Sequence, residues 1–370
     1  MNTVEYQQVP GRGIASGHRH HGPSQPQHAG VADLPVVPES RGAGEPPRSP
    51  AADGLRLVLA RAHSLCAMFG ESCAPALPTL RSATERACAL ASAGEFDQLT
   101  DVLGKLLPGL EAAVRTMPPP LQSDAYELTA MAYQACSAAL VRLAEPLAAW
   151  VAADRAMAAA EQAGNVVLAA AGQFRLASVL LESREYALAD EMARTTLLAL
   201  RGLAELADPD ALSLCGGLTV LRAVIAARTN KPAAACGHLA KARLLASRLG
   251  TRQVSALPEF SASYVALAEI AVSVDLADAG SALRAAASLD PASLSPPLRA
   301  RMFIDLARAH ALRGDVDEAT KTLSRAVDMS SGQVRDRVRV GQLMGDLLAL
   351  QTPPGPALAA LANRLGPLPP

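Results

Sequence analysis

Aromatic side chains are scarce. One Trp, five Tyr and five Phe make up 3% of 370 residues, although half of the chain is apolar. That composition excludes a core filled by large rings. It requires close backbone approach, so that small side chains can fill the interior. Lysine is scarce as well, limited to Lys105, Lys231, Lys241 and Lys321, and the net charge is −1. A basic surface running the length of the chain is thereby excluded, and only a local patch could meet nucleic acid.

The six cysteines (Cys66, Cys73, Cys88, Cys136, Cys215 and Cys236) form no C-x-x-C pair. The last four lie in helical patterns, where Cys behaves as a small hydrophobe, and a reducing compartment is expected. The opening "MNTVEYQQVPGRG" has no apolar h-region, so a cytoplasmic protein is expected. The longest apolar stretch, Leu212 to Ala227, is short for a bilayer and carries Arg222, so no membrane span is expected. Strand signals are missing too: no alternating β-branched run is bounded by turns.

Two regions remain. Residues 1–54 are rich in Pro, Gly, Ser and Arg without apolar periodicity, and read as a disordered tail with balanced charge. Residues 55–370 follow a helical pattern with breakers every 15 to 20 residues, among them Gly94, Pro146, Gly164, Arg184, Asn230 and Gly314. Helices of that length with such short turns must pack as antiparallel neighbours. "LARAHALRGDVDEATKTLSRAV" (Leu306 to Val327) carries a tetratricopeptide pattern, with Ala307, Gly314, Ala319, Leu323 and Ala326 at its contact and turn positions. "FRLASVLLESREYALADEMA" repeats it through Leu176, Ala177, Tyr186 and Ala189. "AAWVAADRAMAAAEQAG" supplies the second half of another copy, with Ala149, Ala153 and Ala156 packing. Weaker copies fall at 79–116, 209–249 and 260–289. The fold expected is an all-α, tetratricopeptide-like solenoid of about six helix pairs, since stacked pairs bury faces that one pair cannot.

Those three segments, with "VSVDLADAGSALRAA" and "LSPPLRARMFIDLARAHALRGDVDEA", resemble the C-terminal half of actinobacterial XRE-type helix-turn-helix regulators over residues 79–350. The resemblance implies a helical-repeat module that senses a ligand or partner beside a DNA-reading half. That half is missing before residue 80. The nearest imitation, Ala89 to Lys105, has Glu95 where an apolar residue belongs, and Asp97 and Asp101 on the would-be recognition helix. Gly94 and Phe96 fit a repeat turn better. The family's Gly-Pro-Thr-Asn run is replaced here by Ser261, Ala262, Ser263 and Tyr264.

Catalytic motifs are lacking: there is no phosphate loop, no Gly-x-Ser-x-Gly elbow and no His-Glu-x-x-His. His18, His20 and His21 could bind a metal, but adjacent tail histidines have no fixed geometry. His63, Cys66 and Cys73 want a fourth ligand. His238 and His310 have no partner in the sequence. No metal, cofactor or catalytic residue is therefore expected.

The first helices of the repeats should line a groove, with Gln134, Phe174, Ser178, Arg301 and Arg308 at groove positions. The two arginines would favour an acidic peptide or a carboxylate. Ile304 stands where a carboxylate clamp of the tetratricopeptide kind uses a polar residue. Arg222 and Glu269 are each the lone charge of an apolar run, eight residues before a turn. They are expected to pair across adjacent first helices, at the floor of a pocket. The function expected is a non-catalytic regulatory module in transcription, binding a protein, peptide or small molecule; a homo-oligomer is compatible with it. A direct DNA-binding regulator, with a helix-turn-helix that is degenerate or hidden in residues 55–80, is the alternative, and an enzyme with an unmarked site comes third.

Overall fold

Short apolar helices separated by strong stop signals fold back on one another. The computed structural model describes residues 49–62, 75–252, 254–255, 257, 259–329 and 334–366, with only the backbone described for 334–338. Among the described residues there are sixteen α-helices, one short 3-10 turn and no strand. The tail histidines and His63, Cys66 and Cys73 lie outside those residues.

The first helix, α1 (Pro50–Ala62), starts earlier than the sequence suggested. Ala51, Ala52 and Leu55 are buried, so residues 50–54 belong to the helical region and not to the tail. Six helix pairs follow: α2 (Leu77–Ala93) with α3 (Phe96–Thr116), α4 (Pro119–Arg142) with α5 (Pro146–Gln162), and α6 (Val166–Glu182) with α7 (Tyr186–Ala199). A short α8 (Arg201–Glu205) leads to α9 (Pro209–Arg228) with α10 (Pro232–Leu249). Then come α11 (Ala262–Asp275) with α12 (Ala279–Ala287), and α13 (Pro296–Leu312) with α14 (Val316–Met329). Helices α15 (Val334–Leu350) and α16 (Pro356–Leu365) end the described chain.

The turns are built alike. The six pairs turn at Gly94, Ala144, Arg184, Asn230, Ala277 and Gly314, each at positive φ. A left-handed residue ends a helix by turning the chain away while its N–H still bonds the last turn. Prolines begin α4, α5, α9, α10 and α13, where a missing N–H costs nothing. Asn165 and Asp208 cap α6 and α9 by accepting from Leu168 N (3.0 Å) and Ala211 N (2.7 Å).

The alanines lie where close contact demands them. Ala149, Ala153, Ala156, Ala177, Ala189, Ala307, Ala319 and Ala326 are fully buried, whereas Trp150 points outward. Each buried Leu around them stabilises the fold by about 1.5–3 kcal/mol. Helix α9 is enclosed on nearly every side, and its Gly216 and Gly217 let Phe260 and Leu257 lie against its backbone. Its 20 residues, with mean hydropathy 1.5, are long and apolar enough to cross a membrane, which the shorter stretch 212–227 did not suggest. The helix is instead packed inside the protein, 89% of its apolar window being buried.

The first helices touch in the order α2, α4, α6, α9, α11, α13. Helix α13 then touches α2, and α15 touches α4. The inner helices thus close into a ring, with α3, α5, α7, α10, α12 and α14 outside it.

A candidate ligand cavity lined by arginines

Helical periodicity turns one stripe of each inner helix toward the middle of the ring. On α4 the stripe carries Met131, Gln134, Ala138 and Arg142; on α6 it carries Phe174, Arg175, Ser178 and Leu181. Helix α9 adds Gly217, Val220, Leu221, Val224 and Arg228, and α13 adds Leu298 and Arg301. They line a cavity of about 270 Å³. A second chamber of about 520 Å³ shares Val141, Glu182, Arg228 and Arg339 with the first, and adds Asp275, Arg308 and Asp346.

Four of the groove residues read from the sequence meet in the first chamber. Gln134 donates from Nε2 to the Leu168 carbonyl (2.9 Å) and so ties α4 to α6. The Ser178 hydroxyl donates to the Phe174 carbonyl (2.8 Å). Phe174 and Arg301 complete the set. Arg308 lines the second chamber, where it pairs with Asp275 (3.0 Å) and Asp305 (3.3 Å).

Arg222 and Glu269 do not pair, and neither lines a chamber. Arg222 reaches Asp190 on α7 (2.7 Å), and Glu269 reaches Arg243 on α10 (2.6 Å). The two positions are equivalent in register, as expected. Each, however, faces the second helix of the preceding pair and not its counterpart, so the pocket floor built on them falls away.

Arg175 and Arg339 were missed, and so were the acids around them. Arg175 carried a usable signal: it is the one charge between Val166 and Leu181. The first chamber holds five guanidiniums, Arg142, Arg175, Arg228, Arg301 and Arg339, against Glu182 and Glu259. Arg142 donates to the Ala91 carbonyl (3.0 Å) and lies over the Phe96 ring. Arg228 holds Asp275 at 3.3 Å. Arg339 stands 4.0 Å from Glu182. Arg301 stands 3.8 Å from the buried Asp305, too far for a hydrogen bond, and its Nε is buried without one. Arg175 makes no hydrogen bond and no ion pair among the described residues.

Burial lowers the pKa of Arg175. Burial also lowers that of Arg339, helped by the nearby Arg301. Burial opposes the charge of Arg301 as well, but Asp305, Tyr264, Glu182 and Asp275 outweigh it and leave its pKa raised. The Cys88 thiol in the wall is pushed up by burial, which keeps it protonated and weakly nucleophilic. The Ser178 hydroxyl is spent on a carbonyl, and no histidine lines either chamber. Among the described residues, no three His, Cys, Asp or Glu side chains converge as metal ligands would. The arrangement can hold an anion; it presents no nucleophile paired with a base.

No family model, curated protein or solved structure matches this chain.

Proposed function

We propose that the chain is a non-catalytic regulatory module, a tetratricopeptide-like solenoid whose first helices bind a ligand or partner and whose output is transcriptional control. The observation that carries the reading is the cavity itself. Six pairs with one turn geometry present their inner stripes to a common space, with cations in excess. A repeat array gathers a binding surface in this way, one stripe per repeat. The regulatory half of the reading rests on the resemblance to XRE-type regulators. The exposure of Asp97 and Asp101 on α3, whose charges would repel phosphates, favours action through another molecule over direct DNA contact by that helix.

The test is a mobility-shift series at graded salt with the purified chain, beside transcript profiles of cells with and without it. The expectation is no sequence-specific DNA binding together with altered transcripts. Specific DNA binding by the chain alone would replace this reading with that of a direct regulator.

A further inference from the structure

Resting on the reading of the cavity as a ligand site, we infer that its ligand is a small amphiphilic anion, with its head group drawn to the Arg175 and Arg301 guanidiniums of the lining and its apolar body against Val220 and Leu257. The charge balance of the first chamber is the starting point. Five guanidiniums face two carboxylates there. Four of the five approach a carbonyl or an acid: Arg142 the Ala91 carbonyl, Arg228 Asp275, Arg301 Asp305 at 3.8 Å and Arg339 Glu182 at 4.0 Å. Arg175 has no such partner among the described residues, and the Nε of Arg301 is buried without a hydrogen bond. Arg175, Arg301 and Tyr264 all line the first chamber. Arg175 lies over the Phe174 ring, 5.5 Å from its centre, but its buried Nε has neither a hydrogen bond nor an acid, and a charge held so is costly beside an apolar side chain of the same size. Burial weighs against the charge of Arg175, and a bound anion would offset that cost.

The rest of the wall is apolar. Gly217 lets Leu257 and Phe174 approach the backbone of α9. An inorganic anion alone would leave this wall uncovered. Size sets the remaining limit. The first chamber offers about 270 Å³, the scale of a small-molecule site. That suits a short acyl or aryl acid and not a folded partner.

The experiment is calorimetry on the full chain with octanoate, octyl phosphate and 1-octanol, which share one apolar body. Both anions should bind at least about tenfold more tightly than the alcohol, the worth of a charge-assisted hydrogen bond. The tighter of the two anions identifies the head group. Arg175→Met and Arg301→Met should each weaken octanoate about tenfold or more. Arg243→Met, which alters an outer arginine, should leave it unchanged. The unliganded Arg175→Met chain should melt no lower than the native chain. Octanol binding as tightly as octanoate would overturn the inference. So would the absence of binding by either anion at millimolar concentration, or octanoate affinity unchanged in both cavity variants. An acidic peptide that binds where both anions fail would move the site to a different ligand class and overturn it too. These outcomes stand apart from the regulatory reading, which is decided by DNA binding and transcripts.

Discussion

Arg175 and Arg222 are each the lone charge of a long apolar run, on inner helices that touch, yet they end in opposite settings. Arg222 turns outward and finds Asp190 on α7 at 2.7 Å. Arg175 turns inward to the cavity and finds no acid within ion-pair distance among the described residues. The apolar run around a charge announces that the charge is unusual. Which way it faces is set by the rotation of the helix, at about 100° per residue. Arg222 and Glu269, on outward faces, are matched by a neighbouring helix. On the cavity side Arg142, Arg228, Arg301 and Arg339 approach a carbonyl or an acid, and Arg175 is the exception.

The strongest way to break this contrast is to remove the acid that moderates the inner side. Asp305 is buried, and both Arg301 and Arg308 lean on it. Asp305→Ala should cost about 3 kcal/mol in denaturant unfolding, because two arginines lose their counter-charge. A cost below about 1 kcal/mol would mean that the inner arginines are already relieved by water.

Next in size is the seam between the helices of a pair. Ala307 is fully buried there, and Ala311 is only partly covered. Ala307→Leu should destabilise by about 1–3 kcal/mol through overpacking, and Ala311→Leu by clearly less. Equal costs would shift the register of the sixth pair.

Thiols sharpen the same contrast between inside and outside. Burial pushes Cys136 on α4 up to about 12 and Cys215 on α9 up to about 11, from an ordinary 9.0. Cys236 on α10 is exposed. At pH 8 a thiol reagent should label Cys236 and spare the other two. The folded state holds those two protons more tightly than the unfolded chain does. Their contribution to stability is therefore complete below about pH 9 and lost as pH rises toward 11–12. Melting temperature should fall over that window, and fall less steeply in Cys136→Ala, Cys215→Ala.

The smallest effects belong to the outward face. Arg222→Met and Glu269→Gln should each cost under about 1 kcal/mol, being partly solvated pairs. Combined, they should add within about 0.5 kcal/mol, since they share no partner. Coupling should appear instead between Arg222 and Asp190.

Much of the fold was legible because its signals are local. Gly94, Gly314 and Asn230 mark turns, and alanines at contact positions such as Ala307 and Ala319 mark the pairs, so helix pairs over 79–116, 209–249 and 260–289 are legible in the sequence. The site was half legible. Gln134, Phe174, Ser178 and Arg301 follow from repeat register, which says which helix faces inward. Arg175 and Arg339 did not follow, because their setting depends on packing between helices distant in sequence. The same holds for α1, whose buried Ala51 and Ala52 look like loop residues until Leu59 and Arg155 tie that helix to α5.

The contact of α13 with α2 joins segments about 200 residues apart. A linear stack can fray from either end, one pair at a time. Where the inner helix of the sixth pair rests on that of the first, those two pairs shield each other's inner faces. Searching for so distant a contact is slow, because loop-closure entropy must be met before the contact forms. The chain should therefore assemble its pairs quickly and shut the circle late. Amide exchange should then report α2 and α13 opening together.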